Sequence, residues 1–128
     1  MNKNPDAILV SDTHIRESIP KCRLDNFVTK TQWEKLDFLS ELQEKYNVPI
    51  INAGDLFHRA KNNNWLITET INHFPKNFYS IYGDHDFLYK TEKNVYQSSI
   101  ETLRVAGKIN IISNSLIGTL EIDTEKYL

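Results

Sequence analysis

Ala7-Ile8-Leu9-Val10-Ser11-Asp12-Thr13-His14 is an apolar run that stops abruptly on a carboxylate and an imidazole, and the chain repeats the pattern twice. Pro49-Ile50-Ile51-Asn52-Ala53 runs into Gly54-Asp55-Leu56-Phe57-His58, and Phe78-Tyr79-Ser80-Ile81-Tyr82 runs into Gly83-Asp84-His85-Asp86. Short apolar runs bounded by turn residues read as strands buried in a parallel sheet. In an open α/β sheet, ligands bind outside the carboxyl ends of the strands, where the loops converge. The spacing therefore predicts that Asp12, His14, Asp55, Asp84 and His85 meet in space. Each Asp also has a local explanation, since Asp after a strand caps a following helix and Gly-Asp is a common turn. Three strand ends carrying such residues together favour a shared site.

Between these strands the apolar period changes from two to between three and four. Trp33, Leu36, Leu39, Leu42 and Tyr46 form one stripe over Thr31 to Tyr46, which predicts a helix covering a face of the sheet, its aromatic positions in the core. Trp65, Leu66, Ile67, Ile71 and Phe74 predict a second, shorter helix ended by Pro75, with His73 on its surface and without a metal role. Tyr96 to Val105 reads as a third helix closed by Gly107, Ile109 to Ile112 as a fourth strand, and Ile117 to Ile122 as a weaker one. Asn62-Asn63-Asn64 reads as a turn and helix cap rather than a linker. Alternating strands and helices imply an α/β fold built from right-handed βαβ crossovers, in a single domain over residues 1–128.

Composition narrows the class. The 128 residues are 40% hydrophobic and 25% charged, enough for one core and too apolar for a disordered chain. Fifteen Lys and Arg against seventeen Asp and Glu leave a net charge of −2, so there is no global attraction for nucleic acid. A local rim remains, because Arg16, Lys21, Arg23 and Lys30 follow the first motif while Arg59 and Lys61 follow the second. These are either phosphate contacts or solvated loop charges. Arg23 and Asp25 are placed to form an exposed pair of little energetic weight. One cysteine, Cys22, excludes an internal disulfide. No apolar run approaches the roughly 20 residues of a membrane span, so the expected location is cytoplasmic.

The three motifs, taken as Asp-x-His, Gly-Asp and Gly-x-His-Asp in that order, resemble the calcineurin-like metallophosphoesterases. The Gly54-to-His58 version looks more like the branch of Mre11- and SbcD-type DNA-repair nucleases and their phage relatives. The resemblance implies the N-terminal half of a four-layer α/β/β/α sandwich, with two divalent ions about 3.5–4 Å apart held by oxygen ligands and imidazole. It implies Asp12, His14 and Asp55 on the first ion, Asp55 bridging, and Asp84 on the second. His85, oriented by Asp86, would be the general acid as a two-metal-activated hydroxide attacks phosphorus. His58, Arg16 and Arg59 are the residues expected to meet substrate. Mn²⁺ is the favoured ion, with Fe²⁺, Zn²⁺ and Mg²⁺ compatible. The implied partners are DNA or another phosphodiester, an SMC-like ATPase, and no membrane.

Two departures qualify that picture. Asp84 stands where the family has Asn, which adds a negative charge to the centre and removes an amide donor. The histidines number four, His14, His58, His73 and His85, so none follows residue 85 to supply the family's later ligand blocks. The reading therefore expects an incomplete phosphoesterase domain, weak alone, whose ligands are completed by a further chain or a homo-oligomer. The alternative is a noncatalytic interaction module that keeps the fold.

Overall fold

The structure is a computed structural model and describes residues 3–86 and 96–112, without the side chain of Asp84. Four short strands, β1 (Ile8–Val10), β2 (Ile50–Asn52), β3 (Phe78–Ser80) and β4 (Asn110–Ile111), form one parallel sheet in the order β1-β2-β3-β4. The crossovers carry helices α1 (Gln32–Tyr46), α2 (Asn64–His73) and α3 (Ser99–Val105). Because the strand order follows the chain, every crossover steps in the same direction, and right-handed connections then stack all three helices on one face.

Side-chain burial follows from that topology. Ile8, Ile50 and Phe78 lie across from one another in register, and Ile50 and Phe78 are buried with Trp33 and Leu36 of α1, Leu66 of α2, and Ile100 and Leu103 of α3. The alternate row runs Leu9, Ile51, Tyr79 and Asn110, and Leu9 is 76% exposed. The expectation that residues 7–10 form a strand buried on both faces is corrected accordingly. β1 is an edge strand, and its outward side chain meets no second layer among the described residues.

Both ends of α2 and the close of α3 are where local chemistry predicted them. Asn63 accepts a hydrogen bond from the Leu66 amide at 2.8 Å and caps α2, while Phe74 is extended ahead of Pro75. α1 closes on Asn47, which takes a left-handed conformation and donates its amide to the Gln43 carbonyl. α3 ends in a Schellman turn at Gly107, φ +75°: the Lys108 amide reaches the Leu103 carbonyl and the Gly107 amide reaches that of Arg104. That helix begins at Ser99, three residues later than expected, and Tyr96 is exposed. Trp65 is 45% exposed and makes an edge contact to Trp33. The strand expected at 117–122 lies outside the described residues.

Candidate metal centre

The loops after β1 and β2 stay zipped together beyond the sheet. Asp12 donates its amide to the Gly54 carbonyl, His14 to Asp55, Ile15 to Leu56, and His58 to Ile15, at 2.8 to 3.2 Å. This extension carries the first two motifs to the same place and sets Asp12 and His14 beside Asp55 and His58. The Thr13 hydroxyl adds a bond to the Leu56 carbonyl at 2.9 Å. Gln32, buried at the start of α1, clamps the loop from below: its oxygen accepts the Arg16 amide, and its amide nitrogen donates to the Arg16 and Val28 carbonyls.

The backbone at this edge is strained. Asp12, His14 and Asp55 have φ of 52°, 46° and 54°, in the left-handed region that non-glycine residues occupy at a cost of order 1 kcal/mol or more. Gly54 and Gly83 permit the third motif to close on the second. A Cβ on Gly83 would collide with the carboxylate and amide of Asp55, and one on Gly54 would lie 3.0 Å from the Gly83 backbone.

Two groups of donors result. In the first, His14 Nε2 is 3.5 Å from Asp12 Oδ1 and 4.0 Å from Asp55 Oδ2. Asp55 Oδ1 accepts the His85 amide at 2.9 Å, which anchors the carboxylate and leaves Oδ2 for the centre. The hydroxyl of Ser11, and then His14, hold the exposed Asp12 carboxyl below its ordinary range. The second group is His14, His58 and His85, three of the four histidines in the chain. His14 Nδ1 lies 3.2 Å from His58 Nδ1, and the three ring centroids are 4.9 to 5.4 Å apart. Burial, followed by the charge of Arg16, lowers the His58 imidazole from its ordinary value, favouring the neutral ring. In each group one ligand atom from each residue lies within 4.8 Å of the others.

His85 Nδ1 is 2.7 Å from the His58 carbonyl, and a ring nitrogen meeting a carbonyl must donate, so Nε2 is the nitrogen left for other partners. The sequence pairs Asp86 with His85 as its orienting carboxylate, and the structure gives each a different partner. Asp86 is 1% exposed and accepts three backbone amides, those of Gly83 at 2.8 Å, Asp55 at 3.1 Å and Phe57 at 3.5 Å. The short 3-10 turn Asp84–Asp86 separates the two side chains, His85 toward solvent and Asp86 into the interior. Burial raises the Asp86 carboxyl, while the amides pull it the other way. The Asp84 side chain lies outside the described residues.

Arg16, Glu17, Ser18, His58, Arg59 and Asn62 line a pocket beside this edge. It brings together the three residues expected to meet substrate. Arg16 Nη2 reaches the Ser18 hydroxyl at 3.3 Å, and its buried Nε has no hydrogen-bond partner among the described residues. His73 is remote. It is half-buried rather than on the surface, with Nδ1 2.8 Å from Asp37 Oδ1 and its ring stacked on Trp33.

Sequence reasoning missed Gln32 and the structural work of Asp86. Gln32 left a faint signal as a polar residue beside the first core position of the helix stripe. Nothing in the order of residues distinguishes an Asp that accepts amides from one that orients a histidine.

The first donor group suits a divalent cation chemically, with two carboxylates and one imidazole and, at Asp55, an oxygen left unengaged by backbone amides. Residues 7–125 match the family model described as calcineurin-like phosphoesterase. No curated protein matches the chain.

Proposed function

The chain belongs to the calcineurin-like phosphoesterase family, and from that premise we propose that it is a metal-dependent phosphodiesterase acting on DNA or another phosphodiester. Asp12, His14 and Asp55 would hold one divalent ion, and Asp55 with Asp84 a second, with Mn²⁺ favoured. Bound there, such ions polarise the phosphoryl oxygen and make water a nucleophile near neutral pH. The protein's own part is to place groups around the phosphorus. Arg16, Arg59 and His58 offer donors to the non-bridging oxygens. His85, fixed by its Nδ1–H bond to the His58 carbonyl, presents Nε2 to give a proton to the departing alkoxide. Asp86 is a positioning residue, holding Asp55 and Gly83 through their amides.

The observation that carries this reading is that one residue, Asp55, belongs to the carboxylate–imidazole–carboxylate trio and also anchors the backbone of His85. The test is calorimetric titration with Mn²⁺ alongside hydrolysis of bis(p-nitrophenyl) phosphate, with Asp55→Asn as control. Mn²⁺ binding and turnover that both vanish in the variant support the reading; turnover that persists in it overturns the role of Asp55.

A complementing chain, a homo-oligomer or an SMC-like ATPase is part of the same proposal. Leu9, 76% exposed on the row it shares with the half-buried Ile51 and Tyr79, offers apolar surface that a partner layer would cover. No helix among the described residues is long and apolar enough to cross a membrane. A cytoplasmic location is proposed from the exposed, unpaired Cys22, a usage that suits a reducing compartment.

A further inference from the structure

His14 belongs to both donor groups, and it faces them with different nitrogens. Nε2 points to Asp12 and Asp55, while Nδ1 points to His58. A neutral imidazole has one lone pair and one N–H, so it can ligate on only one side at a time. When Nε2 ligates, Nδ1–H donates to His58. When Nδ1 ligates, Nε2–H donates to the two carboxylates, the carboxylate–histidine–metal relation that orients ligands in many zinc sites. We propose that His14, His58 and His85 form a second, nitrogen-only site for a Zn²⁺-class ion, and that occupancy of this site excludes metal from the carboxylate site through the tautomer of His14.

The geometry and the donor chemistry agree. Two nitrogens on one tetrahedral Zn²⁺, each at about 2.0–2.1 Å, are roughly 3.4 Å apart, close to the 3.2 Å between the facing Nδ1 atoms of His14 and His58. His85 already has its Nδ1–H fixed on a carbonyl, which leaves Nε2 as its ligating atom. All three imidazoles have ligand atoms within 4.8 Å of one another. Imidazole donors suit Zn²⁺, Cu²⁺ and Ni²⁺, while Mn²⁺ and Mg²⁺ prefer the oxygen-bearing trio, so the two groups sort ions by hardness. A Zn²⁺-class ion at the nitrogen site also occupies His85 Nε2, the atom assigned to proton donation. The regulatory half of this inference rests on the functional reading above; the existence of the site does not.

The test uses calorimetry with Zn²⁺ and with Mn²⁺ separately, and the electron paramagnetic resonance signal of free Mn²⁺ as Zn²⁺ is added. Three proteins are compared: the wild type, the double variant Asp12→Asn/Asp55→Asn, and His58→Gln, with His85→Gln in reserve should His58→Gln unfold. Asn at 55 keeps the oxygen that accepts the His85 amide. The expected result is that the double variant loses Mn²⁺ and keeps one Zn²⁺ within about threefold of wild-type affinity. His58→Gln keeps Mn²⁺, loses at least tenfold in Zn²⁺ affinity, and needs correspondingly more Zn²⁺ to release Mn²⁺. Zn²⁺ binding that survives His58→Gln and disappears in the double variant overturns the nitrogen-only site, as does the absence of Zn²⁺ binding to the wild type. Simultaneous occupancy by both ions overturns the exclusion. Wild type that binds Zn²⁺ but never Mn²⁺ defeats the functional reading while leaving the nitrogen site standing.

Discussion

The two edges of the sheet use the same backbone conformation for different ends. At the amino edge, Asn47 and Asn77 turn the chain into β2 and β3 with φ of 51° and 49°. At the carboxyl edge, Asp12, His14 and Asp55 leave β1 and β2 with nearly the same angles. Asn is among the residues that tolerate left-handed backbone best, because its short side chain bonds locally. Histidine has less to gain from it, and at position 14 it stands where a turn-maker would serve folding better. The amino edge is thus shaped by the needs of turns, and the carboxyl edge by the needs of its side chains. Both edges carry the conformation, but among the described residues only the carboxyl edge uses it to bring carboxylate and imidazole ligand atoms within 4.8 Å of one another.

The strongest way to break the carboxyl edge is Gly83→Ala, whose new methyl group collides with Asp55. The expected outcome is a loss of about 3 kcal/mol in urea unfolding together with at least about a hundredfold loss of Mn²⁺ affinity by calorimetry. Next is Asp86→Ala, which leaves the Gly83, Asp55 and Phe57 amides without their acceptor and is expected to destabilise by about 2–3 kcal/mol, with Asp86→Asn milder. Equal losses for the two would mean that the negative charge, not the amide bonding, holds the loops.

Smaller effects sharpen the contrast. Asn77→Ala is expected to cost about 1–2 kcal/mol, the steric penalty of left-handed backbone, without changing metal affinity. His14→Gly should do the reverse, abolishing Mn²⁺ binding while leaving the unliganded protein unchanged or more stable by up to about 1 kcal/mol, as read by thermal unfolding in chelator. A clear destabilisation in chelator would mean that His14 serves packing, and the two edges would then differ less than argued. Smallest of all, Asn77→Gly should shift stability by only a few tenths of a kcal/mol, since glycine takes the same angle freely.

Much of this architecture could be read from residue order. Runs of Ile, Val and Phe ending on Gly-Asp, and a leucine stripe ending at Asn47, dictate strands and helices through burial alone, and the parallel α/β fold follows. The convergence of Asp12, His14, Asp55 and His85 was legible for the same reason, because the carboxyl ends of neighbouring parallel strands are neighbours in space; His58 joins them, and the Asp84 side chain lies outside the described residues. The sidedness of the sheet was less legible. Leu9 reads as core beside Ile8 and Val10, and only the strand order reveals that, among the described residues, the helices lie on the other face. Hydrogen-bond allegiance was least legible. Asp86 next to His85 suggests a pair, yet a tight turn sends adjacent side chains apart, and three amides left bare by converging loops attract the carboxylate more than one imidazole does.

The Asp86 contacts also imply an order of assembly. The pairing of the first two loops needs only the chain through His58, whereas the Asp86 bonds need the second crossover as well. The amides of Asp55 and Phe57 then remain hydrated until a carboxylate arrives from further along the chain. The Asp12, His14 and Asp55 donors are therefore all encoded before the carboxylate that fastens their loops. Donors encoded before their fastener can meet in a partial chain, but only a chain that reaches Asp86 gives the Asp55 and Phe57 amides their acceptor.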